Sequence, residues 1–186
     1  MRAVVLDSDS LGTDLTLSEF ESLPVTFSRY PTTTPEQVCE RIRDADIVLV
    51  NKVVLNAEAL GQAEKLRYVG VLATGTNNVD TEYCQQRGIT VNNVDGYGTD
   101  SVAQHAMMLL LNLATSFTPT TLQVKQGDWS RSPFFCLLDN PVIELAGKHL
   151  IIVGYGTLGQ RFAELARAFG MNVSVAARPG TTSAER

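Results

Sequence analysis

The chain has 186 residues, of which 44% are hydrophobic and 19% charged, a composition typical of a globular protein with one large domain or two small ones. Its formal net charge of −5 excludes the basic surface that nucleic-acid binding requires. The most apolar stretch, 106–114, is far too short to span a bilayer. We therefore expect neither a nucleic-acid partner nor a membrane partner.

The cysteines and the N-terminus indicate the compartment. Three cysteines, Cys39, Cys84 and Cys136, are scattered without C-x-x-C spacing, a pattern that favours reduced structural thiols. The chain begins with a short strand-like run followed by polar residues, rather than with a signal peptide. These features predict a cytoplasmic protein.

The first half of the chain alternates between apolar strand-like runs and helical segments. Strands are predicted at 3–6, 25–27, 47–50, 66–72 and 89–91. Helices are predicted between them, with Thr34 and Asp80 as N-caps and Gly88 as a helix end. Repeated βα units of this kind predict a flavodoxin-like, doubly wound parallel sheet, which we assign to a domain at 1–98.

Two loops follow predicted strands and are therefore candidate binding loops. Ligands of parallel α/β sheets bind beyond the carboxyl ends of the strands. Lys52 lies beyond one such end, and Thr74-Gly75-Thr76 lies beyond another. Lys52 has an alternative interpretation as an ordinary solvated lysine, and the threonine-glycine loop as a simple turn before the Asp80 cap.

A change in composition follows residue 98. The segment from Thr99 to about Thr115 is apolar nearly all round, which predicts a buried helix with His105 in a core or interface position. The segment 117–145 is aromatic and reads as irregular, and its Trp129, Phe134 and Phe135 favour an interface over a cleft lining.

The clearest motif is a glycine turn, residues 154–159, between an apolar strand and a helix. Its G-x-G-x-x-G pattern predicts the phosphate-binding turn of the first βαβ unit of a Rossmann domain, which we assign to 99–186. Leu158, Phe162, Leu165 and Phe169 are expected to pack on the sheet. The candidate cofactor-binding residues of the turn are Gly154, Tyr155, Gly156, Thr157, Leu158 and Gly159.

The residues after the second strand of this unit indicate which dinucleotide binds. An NAD-binding domain places an acidic residue about 20 residues beyond the glycines, but none occurs here between Glu164 and Glu185. Ala177, Arg178 and Thr182 occupy the region instead, and an arginine with hydroxyl groups can bind a 2′-phosphate. We predict NADP as the cofactor, with NAD as the second choice.

Several segments together resemble the D-isomer-specific 2-hydroxyacid dehydrogenases, in order along the whole chain. The segments 71–80 and 96–105 are similar to the substrate-domain motifs of that family. The segments 129–134 and 144–148 look like its glycerate dehydrogenase and hydroxypyruvate reductase branch. The resemblance implies hydride transfer between a nicotinamide and C2 of a small 2-hydroxy or 2-oxo acid.

The resemblance also implies roles for individual residues. The backbone of the Thr74-Gly75-Thr76 loop would hold the substrate carboxylate, and Lys52 would pair with the same group. Thr99 and Val102 would lie near the nicotinamide. A homodimer formed through the cofactor domain is expected, with the apolar helix and the aromatic segment at its interface.

The catalytic residues are expected outside this chain. The family's catalytic arginine, acid and histidine lie downstream of positions corresponding to Arg186, so the chain reads as truncated and inactive by itself. Its own histidines, His105 and His149, do not fit the acid–base role. The alternative is a non-catalytic nucleotide-binding or regulatory relative.

Overall fold

The computed structural model describes residues 1–15 and 18–176, with the side chain of Glu21 left out. The chain divides into two compact units, the first being Met1–Tyr97 and the second beginning at Gly98. Each unit is described separately.

The first unit is built on a five-stranded parallel sheet with the order β2-β1-β3-β4-β5. This order is the one found in flavodoxin-like folds, so the predicted fold class is confirmed. The three central strands are largely apolar and buried because both of their faces are covered, whereas the edge strands carry polar residues. Their bounds are β1 (Arg2–Val5), β2 (Thr26–Arg29), β3 (Ile47–Val50), β4 (Tyr68–Val71) and β5 (Thr90–Asn93).

The helices of the first unit begin at local capping signals. The Asn56 side chain accepts the N–H of Ala59 at 2.9 Å, and the Asp80 side chain accepts the N–H of Tyr83 at 2.9 Å. The predicted Asp80 cap is thereby confirmed, and Gly88, with φ of +68°, ends the same helix. The helices are α1 (Ser18–Glu21), α2 (Pro35–Ile42), α3 (Ala57–Gly61) and α4 (Thr81–Gln86), with a 3₁₀ turn at Ser8–Leu11.

The core of the first unit lies between the sheet and helices α2 to α4. Ile42, Leu55 and Leu60 are completely buried there, together with strand residues such as Val69. Burying side chains of this size contributes about 1.5–3 kcal/mol each. A smaller cluster around Val5 covers the other face of the sheet. The first unit therefore has a core of its own.

The second unit carries the predicted βαβ arrangement. Strands β6 (His149–Val153) and β7 (Asn172–Ala176) pair in parallel across helix α8 (Thr157–Ala168), which confirms the predicted first part of a Rossmann fold. The remaining helices are α5 (Thr99–Ala114), α6 (Phe117–Lys125) and α7 (Asp128–Arg131).

Helix α5 differs from its predicted burial. Only Ala103, Met107 and Ala114 are buried, whereas Leu113 is 80% exposed, so the prediction of a helix buried all round is wrong. The buried side joins a small core with Ala166 of α8. An apolar pattern cannot specify which sides of a helix are covered, because that depends on the neighbouring elements.

The aromatic segment is also more ordered than predicted. Its first part forms α6 and α7, so the interpretation as irregular holds only for 132–145. Threonines and Pro119 obscured α6 in the sequence. Pro119 lies in the first turn, where its missing N–H breaks no helical hydrogen bond.

The face with which α8 packs was only partly predicted. Ala163 and Ala166 are fully buried, whereas Leu158 and Phe169 are 48% and 44% exposed. Ala166 belongs to a core that α8 shares with Met107 and Ala114 of α5, so part of the buried side of α8 faces that helix, and Phe162 and Leu165 pack against the same core.

Candidate functional site

Two neighbouring strands of the first sheet bring the candidate binding loops together. Residues 51–53, here called the Lys52 loop, follow β3, and residues 74–76, the Thr74 loop, follow β4. The strands pair at Val50 and Val71, so both loops leave the same edge of the sheet. The Asn78 side chain donates to the carbonyl of Val53 at 3.0 Å, which joins the two segments.

The Thr74 loop presents unpaired backbone donors. Within the described part of the chain, the N–H groups of Thr74, Gly75 and Thr76 donate no hydrogen bond. Thr74 and Gly75 are exposed and Thr76 is half-buried. Successive open N–H groups in a turn form a favourable binding site for an anion such as a carboxylate.

The side chain of Thr74 has a structural partner. Its hydroxyl donates to the carbonyl of Val94 at 2.9 Å, and the Asn93 amide donates to the carbonyl of Thr74 at 2.6 Å. The Thr74 loop therefore offers its backbone rather than this hydroxyl. Sequence reasoning missed Asn93, whose only signal is its position at the end of β5, the strand that pairs with β4.

Lys52 is exposed, and its ammonium group has no partner among the described residues. It lines a cavity of about 370 Å³ at the ends of β1, β2 and β3, together with Asp7, Thr32 and Val53. The backbone of the Lys52 loop is connected to the Thr74 segment, but no hydrogen bond or ion pair joins the Lys52 side chain to the Thr74 loop.

The glycines of the turn at 154–159 have different structural requirements. Gly154 has φ of +90°, a conformation that favours glycine. A Cβ on Gly159 would lie 2.3 Å from the carbonyl oxygen of Gly154, so only glycine fits there. A Cβ on Gly156 would meet nothing within 4 Å. The fold itself therefore does not require glycine at position 156.

The N-terminus of α8 is open to a ligand. Gly156 is its N-cap, and no side chain caps the helix. Gly156, Thr157 and Leu158 are exposed, while Tyr155 is half-buried and its carbonyl accepts the Gln160 side chain at 3.1 Å. Free N–H groups and the positive end of the helix dipole suit a phosphate, so these residues fit a dinucleotide pyrophosphate.

Thr99 and Val102 belong to the first turn of α5. Thr99 is half-buried and Val102 is 49% exposed. This turn is linked to α8 because Arg161 pairs with Asp100 at 2.7 Å. Arg161 also pairs with Glu164, and the two acids raise the pKa of the guanidinium, with Glu164 having the larger effect. Ala177, Arg178 and Thr182 lie outside the described residues.

Both histidines belong to the second unit. His149 begins β6, at the end of the strand opposite the glycine turn, and its Nε2 lies 2.7 Å from Ser174 Oγ. His105 is exposed on α5, so its predicted core position is wrong. Among the described residues, no group of histidine, cysteine and acidic side chains is arranged to hold a metal ion.

The fold and the loops define an α/β protein with a flavodoxin-like first unit and a dinucleotide-binding turn in its second unit. The family model described as D-isomer specific 2-hydroxyacid dehydrogenase, catalytic domain, matches residues 5–184, and the chain belongs to that family. The resemblance seen in the sequence motifs is confirmed.

Two relatives illustrate the similarity. A glycerate dehydrogenase of Methylorubrum extorquens is 39% identical over 173 residues, covering 92% of this chain and 54% of the relative. A hydroxypyruvate reductase of Blautia hydrogenotrophica is 41% identical over 176 residues, covering 93% of this chain and 55% of the relative. The chain thus spans about half the length of these relatives.

Solved structures share the fold at lower identity. An acyclic imino acid reductase in complex with NADPH and D-Arg has a TM-score of 0.81 at 19% identity, covering 98% of this chain and 58% of that one. An NAD+-bound 3-phosphoglycerate dehydrogenase of Entamoeba histolytica has a TM-score of 0.68 at 24% identity, covering 98% and 55%. No helix within the described ranges has the length and apolarity needed to span a membrane.

Proposed function

We propose that this chain supplies the substrate loop and the cofactor turn of an NAD(P)-dependent oxidoreductase. The proposed reaction transfers a hydride between the nicotinamide and C2 of a small 2-hydroxy or 2-oxo acid. The glycerate, hydroxypyruvate and glyoxylate class is favoured because two similar proteins are a glycerate dehydrogenase and a hydroxypyruvate reductase. The observation that carries the proposal is the open set of N–H donors at the Thr74 loop.

The substrate carboxylate would bind at the carboxyl edge of the first sheet. It would accept hydrogen bonds from the N–H groups of the Thr74 loop, where Gly75 lets the backbone approach closely. The Lys52 ammonium, which is unpaired among the described residues, would add an opposite charge. Charge-assisted bonds of this kind would orient C2 for transfer by fixing the adjacent carboxylate.

The cofactor would bind with its pyrophosphate on Gly154, Gly156 and Gly159 and on the open N-terminus of α8, and would supply the hydride carrier. Neighbouring turn residues Tyr155, Thr157 and Leu158 would complete the cradle, and Thr99 and Val102 would face the nicotinamide. A structurally similar reductase binds NADPH and a similar dehydrogenase binds NAD+, so both cofactors occur in this fold.

NADP is the proposed preference, with NAD as the second choice. The chain has no acidic residue between Glu164 and Glu185. In NAD-binding domains, an acidic residue in this region accepts a hydrogen bond from the ribose 2′-hydroxyl. Arg178 and Thr182 would instead bind the 2′-phosphate beside the small Ala177. The preference is measured as the ratio of the NADH and NADPH dissociation constants, and an unchanged ratio in Arg178→Ala would contradict the role of Arg178.

The catalytic acid–base group is proposed to lie outside the described residues. A general acid must reach the substrate oxygen, whereas His149 lies at the opposite end of its strand from the glycine turn. We therefore expect the 186-residue chain alone to bind a nicotinamide dinucleotide without reducing hydroxypyruvate. Turnover by this chain would refute that expectation, and it would also exclude the alternative of a non-catalytic binding relative.

A homodimer through the second unit is proposed from its exposed apolar side chains. Leu113 on α5 is 80% exposed, and Phe135 and Leu138 of the segment after α7 are 91% and 81% exposed. Exposed apolar groups in such number are typical of interfaces. Light scattering over a dilution series measures the mass, and a monomer at all concentrations would contradict the proposal.

The experiment that tests the cofactor site substitutes Gly156 and Gly159 separately by alanine. Gly156→Ala should fold normally, because the added methyl meets no protein atom, but NADPH affinity should fall about tenfold or more as the methyl occupies the pyrophosphate position. Gly159→Ala should lose both the turn and binding. Unchanged NADPH affinity in Gly156→Ala would overturn the assignment of the turn.

A further inference from the structure

A buried carboxylate that the proposed reaction does not use holds the Lys52 loop. Asp7 follows β1 and is only 5% exposed. It accepts the backbone N–H groups of Asn51 at 2.9 Å, Lys52 at 2.5 Å and Val53 at 3.1 Å. No ion pair between described residues involves Asp7, so its charge is balanced by backbone dipoles.

The opposite side of the same loop is also fixed. The Asn78 amide donates to the carbonyls of Asn51 at 3.4 Å and Val53 at 3.0 Å. The Asn51 side chain donates to the Ser10 hydroxyl at 2.9 Å. The backbone of the Lys52 loop therefore has partners on both its N–H side and its carbonyl side, while the Lys52 ammonium stays unpaired among the described residues.

The three backbone donors use both oxygens of the Asp7 side chain as acceptors. A carboxylate has only acceptor atoms, so its two oxygens satisfy three converging donors. An asparagine at position 7 has a single acceptor oxygen, so its own N–H groups must face at least one of the three backbone donors whichever way the amide is turned. This substitution preserves the shape of the side chain but leaves at least one of the three backbone donors of the loop without its acceptor.

We infer that Asp7 is a positioning residue for substrate binding, which fixes the backbone of the Lys52 loop and thereby sets where the Lys52 ammonium meets the substrate carboxylate. This inference rests on the proposed function. Lysine has a long flexible stem, so only a fixed backbone confines its ammonium to a useful volume. Small displacements of a binding group are costly in such sites.

The test compares Asp7→Asn with Asp46→Asn. Asp46 is a matched control because its carboxylate also accepts a backbone N–H, that of Arg2 at 2.7 Å, but it precedes β3 at the opposite edge of the sheet. Glyoxylate is titrated into the full chain, and its dissociation constant is read from the amide resonances of Gly75 and Thr76. Unfolding in urea checks that each variant is folded.

We expect Asp7→Asn to weaken glyoxylate binding about fivefold, as Lys52→Met does, and Asp46→Asn to leave it unchanged. In the Lys52→Met background, Asp7→Asn should add nothing further, because Asp7 acts through Lys52. A merely structural role would give the same loss in both backgrounds. Asp7→Glu, which keeps the charge but displaces the carboxylate, replaces Asp7→Asn if the latter does not fold.

Three results would overturn the inference: unchanged binding in Asp7→Asn, an equal loss in Asp46→Asn, or a full further loss in the Lys52→Met background. A fourth result concerns the proposed function itself. If glyoxylate does not shift the amide resonances of Gly75 or Thr76 in the unsubstituted chain, the proposed substrate site is wrong. The inference about Asp7 is then also wrong, before any variant is made.

Discussion

Side-chain caps occur at helix starts of the first unit but not at those of the second. In the first unit, Asn56 and Asp80 each accept a backbone N–H of the helix that follows. In the second unit, the N-caps of α5 to α8 make no side-chain capping bond, and three of these four residues are glycines. The first unit thus satisfies helix donors with side chains at α3 and α4, whereas the helices of the second unit have no such caps, and at α8 a ligand can use the free donors.

The first unit also buries its large apolar side chains more completely than the second unit does. All of the largest fully buried side chains, among them Leu6 and Leu55, belong to the first unit. In the second unit, Ile151 and Val153 on one side of β6 are 65% and 76% exposed. No described residue covers that face of the two-stranded sheet. The first unit is therefore expected to be stable by itself, and the second to depend on further contacts.

The largest expected effect is on the unfolding free energy, when a leucine is replaced by alanine in each of the two units. Leu55→Ala removes a completely buried side chain and should cost about 2–5 kcal/mol of the unfolding free energy. Leu113→Ala removes a side chain that is 80% exposed and should cost less than about 0.5 kcal/mol in the monomer. Urea denaturation followed by circular dichroism measures both.

If Leu55→Ala and Leu113→Ala lost the same unfolding free energy at a concentration where the chain is monomeric, the two units would not differ in burial as described. A loss in Leu113→Ala that appears only at high concentration would instead support the proposed dimer, because binding between subunits stabilises the folded state by mass action.

A smaller effect is expected when a capped helix of the first unit is made to resemble those of the second. Asp80→Ala removes the acceptor for the N–H of Tyr83 and should cost about 1 kcal/mol. Asp80→Asn is the matched control, since asparagine caps helices about as well. Equal stability of the Ala and Asn variants in urea would show that this cap contributes nothing.

The smallest effect concerns the cysteines. Burial, and secondarily the charge of Asp80, raise the pKa of the Cys84 thiol, whereas Cys136 in the second unit is half-buried. At pH 8, iodoacetamide should modify Cys39 and Cys136 before Cys84, which should react only after unfolding, as measured by mass spectrometry. Modification of Cys84 at the rate of Cys136 would contradict its burial.

The raised pKa of the Cys84 thiol also predicts how the stability of the fold changes with pH. The folded state favours the neutral Cys84 thiol, so its contribution to stability is complete below the ordinary thiol pKa. Stability should decline as the pH rises above that value toward the raised pKa of the folded protein. Cys84→Ser should flatten this decline in urea midpoints measured across the alkaline range.

The sequence predicted the elements that local signals define. The strands at 47–50 and 149–153 are bounded apolar runs, and Asp80 and Gly88 delimit a helix directly. The sequence failed on α5 and on α6, because apolar character does not reveal which neighbours cover a helix and a threonine-rich segment has weak helix propensity.

The candidate sites were predictable where a strand end carries a glycine-rich loop. Their supports were not, because these contacts join distant positions: Asp7 and Asn51 are 44 residues apart, and Asn93 and Thr74 are 19 apart. Only the folded sheet brings such pairs together. A single acid directly after a buried strand was the sole sequence signal for Asp7.

Because the space around Gly156 is open, the fold does not require glycine there, and only dinucleotide binding would select for it. Folding alone holds glycine at 154, by its backbone angle, and at 159, by the carbonyl it approaches. A lineage that stopped binding dinucleotides would keep those two glycines and let position 156 drift to alanine or serine. Among descendants of this chain, the residue at 156 would therefore distinguish retained binding from a merely inherited fold.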